Sequence, residues 1–280
     1  MSTENAQFPS CGAWPLSVCS WSLRTDVEGV SKAMQQIGVG QVNLALKPVF
    51  LDNGGAYLTA VRQQPWTISA VTIGFFQEDY SSLESIRATG GIVPDAEWER
   101  NREMVLRSLA ITADLGLRFL SLHAGFIEED DQAKARRIRD RLAELADAAA
   151  EYGRMLLMET GQETAASLRE LLEDLNHPAL GVNFDPANMI LYGKGKPVEA
   201  VAQLGPWIRH VHVKDAVATR TPGTWGAEVP WGQGQVGSTA FLMALESVGY
   251  QGALAIEREA GDDRLGDIRR AAEALKSWRS

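Results

Sequence analysis

The sequence predicts an α/β chain folded as a (β/α)8 barrel of parallel strands. Three observations carry that expectation. Short apolar runs alternate with amphipathic helical segments eight times, the pattern of parallel strands joined by right-handed crossovers. The length of 280 residues suits a closed barrel, which uses about 250 residues as one domain. No GxGxxG follows the first strand, which argues against the dinucleotide-binding open sheet that shares the same alternation. No low-complexity linker interrupts the chain, so residues 1–280 are expected to form one domain.

In chain order, WPLSVCSWSL reads as the first strand, and Asp26 as the cap of a helix from Val27 to Gln36 closed by Gly38. QVNLAL is the second strand, followed by a helix around Ala56 to Gln64, and TISAVTIGFF is the third. The segment Gln77 to Pro94, rich in Ser, Gly and acids, reads as a loop long enough to cover a site. Trp98, Met104, Val105, Leu109 and Leu115 fall on one helical face, marking a helix from Glu97 to Leu115. RFLSLHAGF is the fourth strand. The acids from Glu128 to Asp131 read as the solvated start of a helix from Ala133 to Tyr152, where negative charge favours the helix dipole. MLLMET, LGVNFD, IRHVHVKD and LAIERE complete the strands. Helices are expected at Thr164 to Asn176, Pro197 to Leu204, Ser238 to Val248 and Leu265 to Trp278.

Composition sets limits on function. Apolar residues make up 45%, enough for a large core. The net charge of −9 disfavours a sequence-independent hold on nucleic acid, which needs a basic face. No apolar run approaches the ~20 residues that span a bilayer, and the N-terminus lacks a basic-then-apolar leader. Cys11 and Cys19 read as unpaired thiols in a reducing compartment. The expectation is a cytoplasmic protein with no membrane or nucleic-acid partner. A homo-oligomer is left open.

The chemistry is concentrated at four strand ends. Glu159, Asp185 and His212 lie 26 and 27 residues apart (185 − 159 and 212 − 185), about one strand plus one crossover helix, and Glu257 ends the last strand. Each would then sit at the same end of its strand. A carboxylate after an apolar strand is costly to bury without compensation. Singly, each acid could pair with an arginine or a helix N-terminus. Together they would repel one another, and a divalent cation relieves that repulsion. Three carboxylates and one imidazole suit Mn²⁺ or Mg²⁺, with Co²⁺, Fe²⁺ or Zn²⁺ possible. His210 would lie deeper on the same face of the strand as His212, as a core histidine or a group orienting a carboxylate.

The set METG, NFDPAN, HVHVKD, TPGTWGAEVPWGQGQV and LAIERE closely resembles the xylose isomerase-like TIM-barrel superfamily, over nearly the whole chain and most strongly from Met155 to Ala260. Its members include ketose 3-epimerases, hydroxypyruvate isomerase, inosose dehydratase and, more distantly, endonuclease IV. The resemblance implies that Glu159, Asp185, His212 and Glu257 bind one divalent metal. It also implies that Glu159 and Glu257 act as acid/base residues on opposite faces of a ketose. Asn188 stands where epimerases usually have a histidine, and an amide cannot serve as a proton donor near neutral pH. Arg220 approximately matches an arginine that contacts substrate oxygen in the epimerases. The nuclease branch needs further histidines, which TIGFF, Asn188 and Val229-Pro230-Trp231 replace.

His123, Gln162 and Lys214 are further candidates for substrate contact, and Trp231 for an apolar wall of the sugar site. Asp215 is expected to point away and to hydrogen-bond the following loop. The expected activity is a metal-dependent isomerase or epimerase of a small polyhydroxylated ketone or aldehyde. The alternative is a keto-polyol dehydratase; a nuclease or a nonenzymatic sugar binder is less favoured.

Overall fold

The computed structural model describes residues 9–127 and 131–278. Eight strands close into a barrel: β1 (Trp14–Cys19), β2 (Gln41–Ala45), β3 (Thr67–Thr72), β4 (Phe119–Leu122), β5 (Met155–Glu159), β6 (Leu180–Phe184), β7 (Ile208–Val213) and β8 (Leu254–Ile256). Every neighbouring pair is parallel, and β1 pairs with both β2 and β8, so the sheet has no free edge within the barrel. A two-residue strand, Ser10–Cys11, runs antiparallel to the start of β1, at the end of the barrel away from the strand carboxyl ends.

The surrounding helices are α1 (Val27–Ile37), α2 (Gly54–Arg62), α3 (Leu83–Thr89), α4 (Trp98–Asp114), α5 (Gln132–Glu151), α6 (Ala165–Leu175), α7 (Pro186–Leu191), α8 (Pro197–Leu204), α9 (Ser238–Ser247) and α10 (Arg264–Lys276). Their ends follow local chemistry. Asp26 accepts from Gly29 N at 2.8 Å to open α1, and Gly38 closes it in the left-handed region at φ 69°. Asp131 accepts from Lys134 N to open α5; the preceding acids, 128–130, lie outside the described residues. Among the described residues no helix is long and apolar enough to cross a membrane.

Three local features depart from the expected pattern. The segment from Gln77 to Pro94 is not all loop: Ser82 accepts from Ser85 N and starts α3, which buries Ile86 completely. Asp185 and Pro186 start α7 directly at the end of β6, because proline suits the first helical position and aspartate the cap. The stretch after β7 forms an antiparallel hairpin, Asp215–Val217 with Ala227–Val229.

Asp215 is the organiser of that region. Its carboxylate accepts from the backbone N–H groups of Ala216, Gly232, Gly234 and Val236 at 2.9–3.1 Å. Gly234 comes so close to Asp215 that a Cβ there would lie 2.2 Å from its Oδ1. The whole segment from 216 to 236 is thereby folded back on the end of β7.

Candidate metal centre

The parallel register sets the height of the site. Glu159 ends β5 opposite Asn183, Asn183 faces His210, and His212 lies beside Ala255, two residues before Glu257. One ligand atom each from Glu159, Asp185, His212 and Glu257 lies within 4.8 Å of all the others. All four are buried, none more than 5% exposed. The His212 Nδ1 atom stands 3.0 Å from Glu257 Oε2, 3.3 Å from Glu159 Oε1 and 3.8 Å from Asp185 Oδ2.

Asp185 and Glu257 are each fixed through one oxygen and direct the other at this centre, whereas both oxygens of Glu159 are held. Asp185 Oδ1 accepts from Ala187 N and Asn188 N at the start of α7. Glu257 Oε1 accepts from the Trp21 indole at 2.7 Å. The two oxygens of Glu159 accept from Asn188 Nδ2 and Asn183 Nδ2 at 3.2 and 3.3 Å. Asp185 Oδ2, His212 Nδ1 and Glu257 Oε2 are then buried with no hydrogen-bond partner among the described residues. Three orphaned donors converging on one point, two of them anionic, fit a hard divalent cation.

Positive charge from the chain itself balances part of this cluster. The Lys214 ammonium is buried and reaches Glu259 at 2.8 Å, Glu257 at 3.3 Å and Asp185 at 3.7 Å. Burial opposes its charge, but Glu257, Glu259 and Asp185 outweigh burial and hold its pKa well above the usual lysine range. His212 behaves alike: burial opposes its charge, but Cys19, Glu159, Glu257 and Asp185 together raise its pKa. Glu159 shows the reverse balance: burial would lift it, yet His123, His212 and Lys214 hold it well below the usual carboxylate range.

Above the cluster opens a cavity of about 610 Å³. His123, Glu159, Asn188, Lys214 and Glu257 line it, so five of the expected site residues are brought together. Asp185 and His212 lie beneath it, fully buried. His123 Nε2 stands 3.5 Å from Glu159 Oε1, and its Nδ1 is buried without a hydrogen-bond partner among the described residues. Gln162 is buried beside the cavity, its amide 3.5 Å from the Tyr192 hydroxyl.

Two residues expected to contact substrate lie outside this cavity. Trp231 packs edge-on against Phe241, ring centroids 6.3 Å apart, and faces α9 rather than the cavity. Arg220 is exposed at the tip of the hairpin and does not line the cavity. The same loop brings Trp225 to the cavity wall instead. Trp225 packs edge-on against Tyr192 at 4.8 Å, and its indole N–H is buried without a hydrogen-bond partner among the described residues. Trp21, Lys47 and Glu78 also line the cavity and were not expected. A larger groove of about 860 Å³ lies between α1 and α2, but none of the four ligands reaches it.

The fold and the cluster define a (β/α)8 barrel with a buried, carboxylate-rich candidate cation site at the strand carboxyl ends. The chain belongs to the xylose isomerase-like TIM barrel family, which its sequence matches over residues 68–278. It is 31% identical to a xylose isomerase domain protein from Planctomyces limnophilus, whose crystal structure superposes with a TM-score of 0.86 over 95% of this chain and 97% of that one. It is 28% identical over 172 residues to a protein of Escherichia coli K12 provisionally named L-ribulose-5-phosphate 3-epimerase SgbU, a match covering 58% of this chain and 59% of that protein. It is 34% identical over 96 residues to a 3-dehydroshikimate dehydratase of Bacillus anthracis, covering 33% of this chain and 32% of the enzyme.

Proposed function

We propose that the protein is a divalent-metal-dependent isomerase or epimerase acting on a small polyhydroxylated ketone or aldehyde. The observation that carries this reading is the pair Glu159 and Glu257, at the ends of β5 and β8. Both flank one cation-fitting centre and both line the same cavity. Glu159, Asp185, His212 and Glu257 would hold the ion, Mn²⁺ or Mg²⁺ by their donor set. When bound it would supply Lewis-acid stabilisation of the charge that develops on the substrate oxygens.

The chain's own groups perform the proton work. One glutamate takes the proton beside the carbonyl and the other returns one from the opposite face. Trp21 and the Asn183–Asn188 pair fix these two carboxylates so that neither must be reoriented during the reaction. His123, Asn188 and Lys214 present polar groups to substrate oxygens, and Trp225 with Tyr192 forms an aromatic wall suited to the C–H face of a sugar. Asn188 can bind a hydroxyl but cannot transfer a proton near neutral pH, so it positions the substrate. We place the protein in the cytoplasm, a compartment in keeping with two buried, unpaired cysteines, and read the closed barrel as a single catalytic domain.

Asn188 and the dehydratase relative favour a second reading, in which the same proton abstraction is followed by loss of hydroxide from a keto-polyol. One experiment tests both: ¹H NMR in D₂O with Mn²⁺-loaded protein, the metal chelated before acquisition, across ketoses, aldoses and keto-inositols. Metal-dependent deuterium exchange beside a carbonyl supports proton transfer, and the product distinguishes epimer, isomer and dehydrated compound. A protein that binds metal tightly yet exchanges no proton on any compound would sink the proton-transfer reading.

A further inference from the structure

Below the four ligands the barrel interior is polar. The His212 Nδ1 atom faces the carboxylates, while its Nε2 points down the barrel between two amides, 2.9 Å from Asn43 Nδ2 and 3.1 Å from Asn183 Nδ2. All three side chains are fully buried. Which way each amide faces can be argued from its other neighbours, because its nitrogen and oxygen differ only in what they donate and accept.

Asn183 is locked. Its Nδ2 lies 3.3 Å from Glu159 Oε2, an anionic oxygen that only accepts, and 3.1 Å from Ser121 Oγ. Those two acceptors use both of its hydrogens. Its Oδ1 then accepts from His210 Nδ1 at 3.0 Å, and His210 Nε2 in turn accepts from the Ser69 hydroxyl at 3.0 Å. Asn183 therefore cannot offer an oxygen to His212.

Asn43 is free to turn over. Its Oδ1 lies 3.1 Å from Thr72 Oγ1, a hydroxyl that donates or accepts equally well, and its Nδ2 is only in loose contact with Cys19 Sγ at 3.9 Å. An imidazole that coordinates through Nδ1 must carry its proton on Nε2, and that buried N–H needs an acceptor. We infer that Asn43 is the positioning residue for His212: its amide turns so that Oδ1 accepts from Nε2–H, Thr72 accepts from its Nδ2, and the metal-competent tautomer is thereby selected. This rests on the reading that the four residues bind a divalent cation.

The test measures Mn²⁺ affinity by calorimetry on wild type, Asn43→Leu and Asn43→Asp. Circular dichroism and thermal melting check that each variant folds. Asn43→Leu, which fills the space but cannot accept, should weaken binding by about 10- to 100-fold, the range expected for removing such a partner. Asn43→Asp, which can only accept, should bind at least as tightly as wild type. In Mg²⁺-loaded protein the His212 Nε2 proton should give a downfield, slowly exchanging resonance that Asn43→Leu abolishes. The inference is overturned by Asn43→Leu binding within twofold of wild type, or by Asn43→Asp binding as weakly as Asn43→Leu. A wild type that binds no Mn²⁺ at all would overturn the metal site itself, and the inference with it.

Discussion

The two halves of the barrel divide the labour unevenly. Strands β5 to β8 end in Glu159, Asp185, His212 and Glu257, with Lys214 just beyond, and so carry all four candidate ligands and their nearest counter-charge. Strands β1 to β4 supply none of the four: neutral strand-end groups such as Ala45, Thr72 and Ile73 shape the cavity together with Lys47 and Glu78 beyond the strands, while Asn43, Trp21 and His123 reach across to steady the candidate ligands. One half holds the cluster and the other limits how it can move. Buried charge is costly unless its partners are fixed, so the supporting half is as much part of the site as the one that holds the cluster.

The largest effect should come from the half that holds the cluster. Glu257→Gln keeps the shape and the Trp21 contact but removes a charge and a proton acceptor. On the proposed chemistry, turnover should fall by about 10³-fold, read as the rate of solvent deuterium incorporation, with sugar affinity little changed. A variant that still exchanges protons at the wild-type rate would remove Glu257 from the acid/base role.

The next test lies at the seam between the halves. Glu163 follows β5, close to His123 from one half and Lys194 from the other; burial lifts its carboxyl to about 7, with those two cations pulling weakly the other way. The folded protein therefore keeps this proton until about pH 7, whereas an unfolded chain releases it near 4.5. Between those values the unfolded state binds fewer protons, so stability falls as pH rises and the loss is complete above the folded value. The full loss is roughly 3 kcal/mol. Glu163→Gln should remove it, so that in metal-free protein the variant gains on wild type as pH rises from about 4 to 8. A stability difference independent of pH over that range would contradict the assignment.

How much of each half could be read from sequence follows from the same asymmetry. Glu159, Asp185 and Glu257 stood out because an acid after an apolar strand is expensive, and regular spacing placed them together. Trp21, Lys47 and Glu78 gave no such signal, since a tryptophan or lysine near a strand end reads equally well as packing or solvated surface. The loop after β7 was the hardest part. The sequence marks Asp215 as a hydrogen-bond partner of the loop that follows, but no periodicity reveals that it gathers four backbone N–H groups or that Trp225 rather than Trp231 faces the cavity. Helix α7, by contrast, is encoded in the Asp185-Pro186 pair, a capping aspartate followed by a first-turn proline.

Asp215→Ala tests the hold of that aspartate on the loop directly. The four N–H groups would lose a charged acceptor, and partial access of water to Gly232 and Gly234 would limit the cost to about 2 kcal/mol. Chemical denaturation should show the loss, and amide exchange at Gly232, Gly234 and Val236 should accelerate while the strand amides stay protected. Unchanged exchange at those three positions would mean that other contacts hold the loop.

The smallest expected effect decides whether the supporting half acts through hydrogen bonds or through bulk. Trp21 donates its indole N–H to Glu257 Oε1 at 2.7 Å, and its ring lies 5.8 Å from the His212 ring at 59°. Trp21→Phe keeps an aromatic ring near His212 and deletes the donor. A hydrogen bond to a charged group contributes about 1.5–3 kcal/mol, but the cavity lets water replace part of it. The expected loss is therefore about tenfold in kcat, with KM unchanged if the indole aims Glu257 rather than binding substrate. Trp21→Ala removes ring and donor together. If Phe is neutral and Ala severe, packing against His212 is what matters; if both lose about tenfold, the N–H alone holds the carboxylate in line.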